Sequence, residues 1–134
     1  MTDPDLIRKR LAMMATCVEE LRTLAAPERL DQDIRERRFV EHTLQIAIQA
    51  ALDVASHIVS DRRLGEPKTN RALFDLLAQS VLLEPSLADR LGDMAGFRNV
   101  LVHGYTDVDL GVLREILAHR LVDLEDFIDA MRPN

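Results

Sequence analysis

The sequence predicts an all-α protein, built as an antiparallel bundle of about five helices. Apolar residues recur at steps of three and four through most of the chain. Hydrophobic residues make up 47% and charged residues 30% of the 134 residues, and there are only five Gly and five Pro. This composition is typical of a compact helical protein rather than a disordered or turn-rich one. Since the length suits one core, we expect a single helical domain over residues 1–134.

The first predicted helix runs from residue 3 to about residue 25. Asp3 is its expected cap, Pro4 occupies its first turn and Pro27 ends it. Its apolar stripe consists of Ile7, Leu11, Met14, Val18, Leu21 and Leu24. A second helix is expected from about Asp31 to Ser60. Because the middle of this segment is apolar on several sides, we predict that it is the central helix of the bundle.

A short third helix and a longer fourth helix follow. Turn-forming residues cluster at 65–68, after which Thr69 or Asn70 is expected to cap the third helix. The fourth helix begins at Pro85 and ends near Gly104. Its stripe is formed by Leu87, Leu91, Met94, Phe97 and Leu101.

The last predicted helix opens at Asp107 or Asp109 and carries apolar residues at helical spacing as far as Met131. The connections between the five predicted helices are short. Short connections favour antiparallel neighbours, as in a helical bundle.

Charge and targeting signals restrict the class of protein. The net charge of −6 opposes phosphate-backbone binding as a general property of the surface, so any contact with nucleic acid is expected to be local. A signal peptide and an apolar run of about 20 residues are both absent from the sequence. The single Cys17 excludes an intramolecular disulfide. We therefore expect a cytoplasmic protein that does not bind membranes.

The segment from Arg98 to Tyr105 carries side chains suited to RNA cleavage, in the spacing Arg, four residues, His, one residue, Tyr. RNA brings its own nucleophile, the 2′-hydroxyl, so proton transfer and charge stabilisation are what a protein must add. Histidine, with an ordinary pKa near 6.5, suits proton transfer, which makes His103 a candidate. Arg98 offers a fixed fork of donors to phosphoryl oxygens. The phenol of Tyr105 is too weakly acidic for an efficient base, so a binding or regulatory role fits it better.

The spacing also sets a geometric condition on this site. Residues five apart on an ideal helix point about 140° away from each other, so Arg98 and His103 do not share a face. They converge either if Gly104 turns the chain in a left-handed conformation or if two subunits contribute to one cleft.

The R-X4-H-X-Y pattern, with the approach 94–99 and the exit 105–110, resembles the HEPN nucleases and, within them, the HepT subfamily. The similarity covers nearly the whole chain. It implies a HEPN-like bundle, a homodimer with facing motifs, and a metal-independent endoribonuclease without cofactor, with Arg98 and His103 catalytic. It also implies the toxin of a toxin-antitoxin system. The partner would then be an MntA-like nucleotidyltransferase antitoxin that transfers AMP to Tyr105 and that could join the homodimer in a larger hetero-oligomer.

Two further residues are candidates for supporting roles. Asn99 either binds RNA or orients His103, or it hydrogen-bonds the backbone. A polar stripe at steps of four runs along the central helix: Glu41, Gln45, Gln49, Asp53 and His57. The stripe is either a solvated or hydrogen-bonded face, or a lining of the cleft, in which case Asp53 is the expected carboxylate that orients Arg98 or His103.

Other interpretations stay open. The motif residues could instead cover the end of the core in a structural dimer, and the chain could be a non-catalytic nucleotide- or substrate-binding subunit of a nucleotidyltransferase. The basic run 35–38 is either a solvated helix start or a guide for RNA or the partner. The four histidines and Cys17 have no zinc-ligand spacing, so no metal site is predicted.

Overall fold

Helices form every regular element in the part of the chain that the computed structural model describes, residues 3–103 and 108–133, with His103 described by its backbone alone. In chain order they are α1 (Pro4–Leu24), α2 (Ile34–Asp61), α3 (Asn70–Gln79), α4 (Pro85–His103), α5 (Leu110–Glu115) and α6 (Leu121–Met131). A 3₁₀ turn at Pro27–Arg29 precedes α2, and a π-helical segment at Ile116–Arg120 joins α5 to α6. The last three elements are continuous and correspond to the one predicted C-terminal helix. The predicted all-α class is confirmed.

Side-chain caps explain where the helices begin. Asp3 accepts hydrogen bonds from the backbone N–H groups of the first turn of α1, and Asp109 does the same for α5. Thr69, one of the two predicted candidates, caps α3. The second helix begins later than expected, at Ile34, because Asp33 and not Asp31 is its cap.

The core lies among α1, α2, α4 and α6, with α3 packed against α2 and α4. α2 contacts each of the other long helices, which confirms its central position. The rings of Phe74 and Phe127 meet edge to face, with centroids 5.8 Å apart, and so join α3 to α6 across the core. Within the same described ranges, no helix has both the length and the hydropathy that crossing a bilayer requires.

Ion pairs between helices show which ends of the bundle meet. Arg114 of α5 pairs with Asp31 in the connection before α2, and Arg22 near the end of α1 pairs with Glu125 of α6. At the opposite end, Leu82 of the α3–α4 connection lines a cavity with Met131 at the end of α6. α4 therefore runs toward the end that carries the α1–α2 connection and the start of α5.

A two-carboxylate contact joins α3 to α4. The Arg71 guanidinium pairs with Asp89 at 3.3 Å and with Asp93, and its hydrogen bond to Asp93 raises the pKa of Arg71 above its ordinary value. Gly92 makes room for this side chain, because a Cβ there would lie 2.9 Å from the Arg71 Cγ. The contact fixes the middle of α4 against the start of α3. The last turns of α4, which carry the motif, extend past that contact.

Candidate active site

Arg98 lies in the penultimate turns of α4 and is half-buried. Its Nε atom is shielded from solvent and has no hydrogen-bond partner among the described residues, a condition that Arg10 and Arg37 share. A buried N–H donor without a partner carries a desolvation cost, and an oxyanion placed against it would remove that cost. The Nε of Arg98 is therefore a buried donor that has no acceptor among the described residues.

Of the other two motif residues, His103 and Tyr105, the structure describes only the backbone of His103. His103 is the last residue of α4, so Arg98 and His103 belong to one continuous helix, and the five-residue rotation between them applies. The His103 side chain lies outside the description, as do Gly104 and Tyr105. A turn at Gly104, one of the two routes by which Arg98 and His103 could converge, therefore stays a prediction.

The outer face of the last turns of α4 is exposed and partly apolar. Asn99 is exposed, Val100 is 46% exposed and Val102 is 36% exposed. A Cβ added to Gly96, one turn earlier, would meet no atom within 4 Å. The His103 side chain lies outside the described residues, so the predicted supporting role of Asn99 stays a prediction. The exposed surface of these turns, as far as it is described, therefore combines Asn99 with apolar residues.

The polar stripe of α2 makes contacts along the border with α1. Asp53 accepts a hydrogen bond from Gln49 Nε2 at 2.8 Å and pairs with Arg10 Nε at 3.6 Å. His57 Nε2 accepts a hydrogen bond from the backbone N–H of Asp3 at 3.0 Å. These contacts favour the hydrogen-bonded interpretation of the stripe. Within the described residues no hydrogen bond or ion pair joins Asp53 to Arg98, so the predicted orienting role of Asp53 finds no support in its contacts.

A buried ion pair behind α4 was not anticipated from the sequence. Arg90 Nε donates to Asp123 Oδ1 at 3.0 Å, and Asp123 is only 2% exposed. The other carboxylate oxygen, Oδ2, has no partner in the described part of the chain. A signal existed, since Asp123 stands four residues before Phe127 and eight before Met131, both buried. An acidic residue in such a stripe indicates a buried basic partner.

Comparison with known proteins agrees with the fold and with the family that the motif resembles. A family model for HepT-like ribonucleases matches residues 14–131. The chain is 33% identical to mRNA nuclease HepT of Shewanella oneidensis over 129 residues, which are 96% of this chain and 97% of that protein. It is 31% identical to tRNA nuclease HepT of Aphanizomenon flos-aquae over 112 residues, which are 80% of this chain and 74% of that protein.

A solved structure of a relative shows the same fold. The tri-AMPylated HEPN toxin of Shewanella oneidensis, solved in complex with an MNT antitoxin, matches with a TM-score of 0.89 and 32% identity, over 96% of this chain and 97% of that one. The predicted ribonuclease class is confirmed, and the toxin interpretation is favoured over that of a non-catalytic subunit. The chain belongs to the family of HepT-like ribonucleases.

Proposed function

We propose that this protein is the toxin of a toxin-antitoxin pair and cleaves RNA through the 2′-hydroxyl, with Arg98 and His103 as catalytic residues. The observation that carries the proposal is the half-buried Arg98, whose Nε lacks a described partner, five residues before the histidine that ends α4. His103 moves the protons, while Arg98 donates to the phosphoryl oxygens as charge develops on them. The nucleophile belongs to the substrate, so these roles need no metal ion.

Growth after induced expression tests this function. We expect wild-type protein to arrest growth and the Arg98→Ala/His103→Ala double variant to leave growth normal at equal protein level. Co-expression of the neighbouring nucleotidyltransferase, if one is encoded there, is expected to restore growth to the wild type. Toxicity that persists in the double variant would rule out the catalytic proposal.

The substrate class is RNA with accessible 2′-hydroxyl groups. One relative is named an mRNA nuclease and another a tRNA nuclease. These names support messenger RNA or transfer RNA as the substrate here. An overall charge of −6 requires that attraction to phosphate come from local arginines such as Arg98.

Two copies of the chain are proposed to pair through the ends of their α4 helices. Val102 lies about one turn after Arg98 on the same side of α4, and Val100 lies one turn after Gly96 at the other edge of the exposed surface. A second copy that covers this surface would bury both valines. Symmetric pairing would bring two Arg98 side chains to one phosphate. It would also let His103 of one copy act at the same phosphate as Arg98 of the other copy. That arrangement satisfies the geometric condition set by the five-residue spacing.

The dimer makes a prediction for Val100→Glu. Placing a carboxylate in a self-complementary apolar contact costs several kcal/mol, so the dimer dissociation constant is expected to rise by at least about 100-fold. Light scattering after gel filtration measures it. The matched control is Val122→Glu on α6, because Val122 is also 46% exposed. A Val100→Glu protein that remains as dimeric as this control would contradict the proposed interface.

Tyr105 is proposed as the residue that a nucleotidyltransferase antitoxin modifies with AMP. The support is the likeness of the whole chain, at 32% identity, to a relative solved in the tri-AMPylated state with its MNT antitoxin. An attached AMP would add negative charge and bulk within the motif, and negative charge there would repel an incoming phosphate. The modified protein is therefore expected to be inactive.

Tyr105→Phe tests that assignment. Incubated with the antitoxin and ATP, wild-type protein is expected to gain one or more AMP units in intact-mass spectra, and the variant none. Since a phenol is not needed for cleavage, the variant should keep its nuclease activity and resist neutralisation. AMP units found on the variant at the wild-type level would move the modification to another residue.

A further inference from the structure

A small cavity lies beside the proposed active site, between α4 and the helix that follows the motif. It measures about 160 Å³. Its apolar wall is formed by Met94 and Phe97 from α4 and by Val112 and Ile116 from α5 and the π-helical segment. The volume is below the usual range for enclosing a drug-sized ligand, so it suits one flat group such as a nucleobase.

Two arginines stand at this cavity, one on each side. Arg90 comes from α4 and Arg120 from the end of the π-helical segment. The buried Asp123 holds Arg90 through its Nε, which leaves the two terminal nitrogens of the guanidinium outside that bond. Arg120 has a weaker partner, the exposed Glu115, at 3.8 Å. Among the described residues that line the cavity, only Asp93 carries a carboxylate, and it is engaged by Arg71.

The position of the cavity links it to the cleavage site. Phe97 directly precedes Arg98, and Arg90 lies eight residues earlier, about 12 Å along the helix axis. The steps of four between Val112, Ile116 and Arg120 place all three on the same side of their helix. π-helical turns occur frequently at functional sites, and this one ends at Arg120.

We propose that this cavity is a subsite for a nucleotide of single-stranded RNA next to the scissile phosphate, an inference that rests on the proposed ribonuclease function. The base enters the apolar slot against the Phe97 ring, and the adjoining phosphate is bound by Arg120 and the terminal nitrogens of Arg90. Aromatic faces and guanidinium groups are the elements with which proteins hold unpaired bases and the RNA backbone. The subsite supplies local positive charge on an acidic protein and selects the base beside the cut.

Binding of a fluorescent, single-stranded 2′-O-methyl oligonucleotide to the full-length protein tests the subsite without cleavage. Arg120→Gln is expected to raise the dissociation constant about two- to fivefold. It should also lower the slope of log Kd against log salt by about 0.7, the loss of one phosphate contact. The matched control is Arg132→Gln, an exposed arginine paired within its own segment with Asp129 at the other end of α6. The control should change neither quantity.

Phe97→Leu tests the base slot separately from charge. It keeps an apolar wall and removes the ring, so we expect binding to weaken by at least about fivefold with an unchanged salt slope. The preference for the base beside the cut should flatten in sequenced cleavage products. A thermal melt shows whether the Phe97→Leu protein still folds. If it does not, the Arg120→Gln variant, at a half-exposed arginine, tests the subsite alone.

The outcomes separate the subsite from the proposed function. If wild-type protein cleaves RNA but Arg120→Gln matches the Arg132→Gln control in Kd and salt slope, the subsite is wrong and the ribonuclease function stands. If Arg120→Gln weakens oligonucleotide binding while wild-type protein cleaves no RNA, the subsite stands and the function is wrong. Weaker binding of the antitoxin with unchanged RNA binding would make the cavity a protein contact and overturn the proposal.

Discussion

Arg98→Ala is expected to lower the kcat for RNA cleavage by about 10²–10³-fold, the usual effect of removing one donor to a developing oxyanion. Because the described structure gives Arg98 Nε no acceptor, no intramolecular hydrogen bond from that atom is lost. Its removal should leave the midpoint of urea denaturation unchanged or raise it, since a buried N–H without a partner costs stability. Single-turnover cleavage and urea titration measure the two effects.

Arg98→Lys and Arg38→Ala complete this test. Lysine keeps the charge but loses the planar fork, so it should recover only a small part of the rate. Arg38 is exposed and pairs with Glu41 on its own helix, so its loss should leave the rate unchanged. A variant lacking Arg98 that cleaves RNA within a fewfold of the wild-type rate would remove this residue from the catalytic proposal.

His103→Ala is expected to lower kcat by about 10²–10⁴-fold, as the loss of a general acid or base does. The pH profile carries the sharper prediction. Wild-type kcat/KM should change with pH through the ionisation of an imidazole, and the residual activity of His103→Ala should lack that change. Rates measured from pH 5 to 9 on one RNA give both curves.

His119→Ala is the matched control for the histidine, because His119 is an exposed histidine of the π-helical segment. It should keep both the wild-type rate and the wild-type pH profile. If His103→Ala kept the wild-type pH dependence while losing rate, His103 would be a positioning or binding residue, and the titrating group would lie elsewhere.

Much of the fold follows from local signals in the sequence. Asp3 was predicted as a cap, and Thr69 and Asp109 were each one of two predicted candidates. All three are caps, because a short polar side chain before an apolar helical stripe satisfies the first backbone N–H groups. The start of α2 was missed by three residues, since Asp31 and Asp33 are both chemically able to cap and only tertiary packing selects Asp33. The π-helical segment could not be predicted either, because one inserted residue hardly alters an apolar stripe.

The candidate site was predicted in position rather than in its contacts. The apolar stripe of the fourth helix predicted that Arg98 and His103 lie near its C-terminal end, where the structure places both residues. Contacts depend on which helices become neighbours, and no pattern within one helix reports that. This is why Asp53 was expected near Arg98 and is instead paired with Arg10 of α1. For the same reason the ion pair between Arg90 and Asp123, which are 33 positions apart in the sequence, was not predicted.

Cleavage of an RNA that carries a single 2′-deoxynucleotide at the cut position tests the central claim most directly. The experiment uses purified wild-type protein with a chelator present and compares this substrate with the all-ribose RNA. We predict that the ribose substrate is cleaved, leaving a 2′,3′-cyclic phosphate, and that the deoxy substrate is not cut at that position. Cutting of the deoxy position at a comparable rate, or loss of all activity in the chelator with recovery on adding a divalent cation, would contradict the proposal.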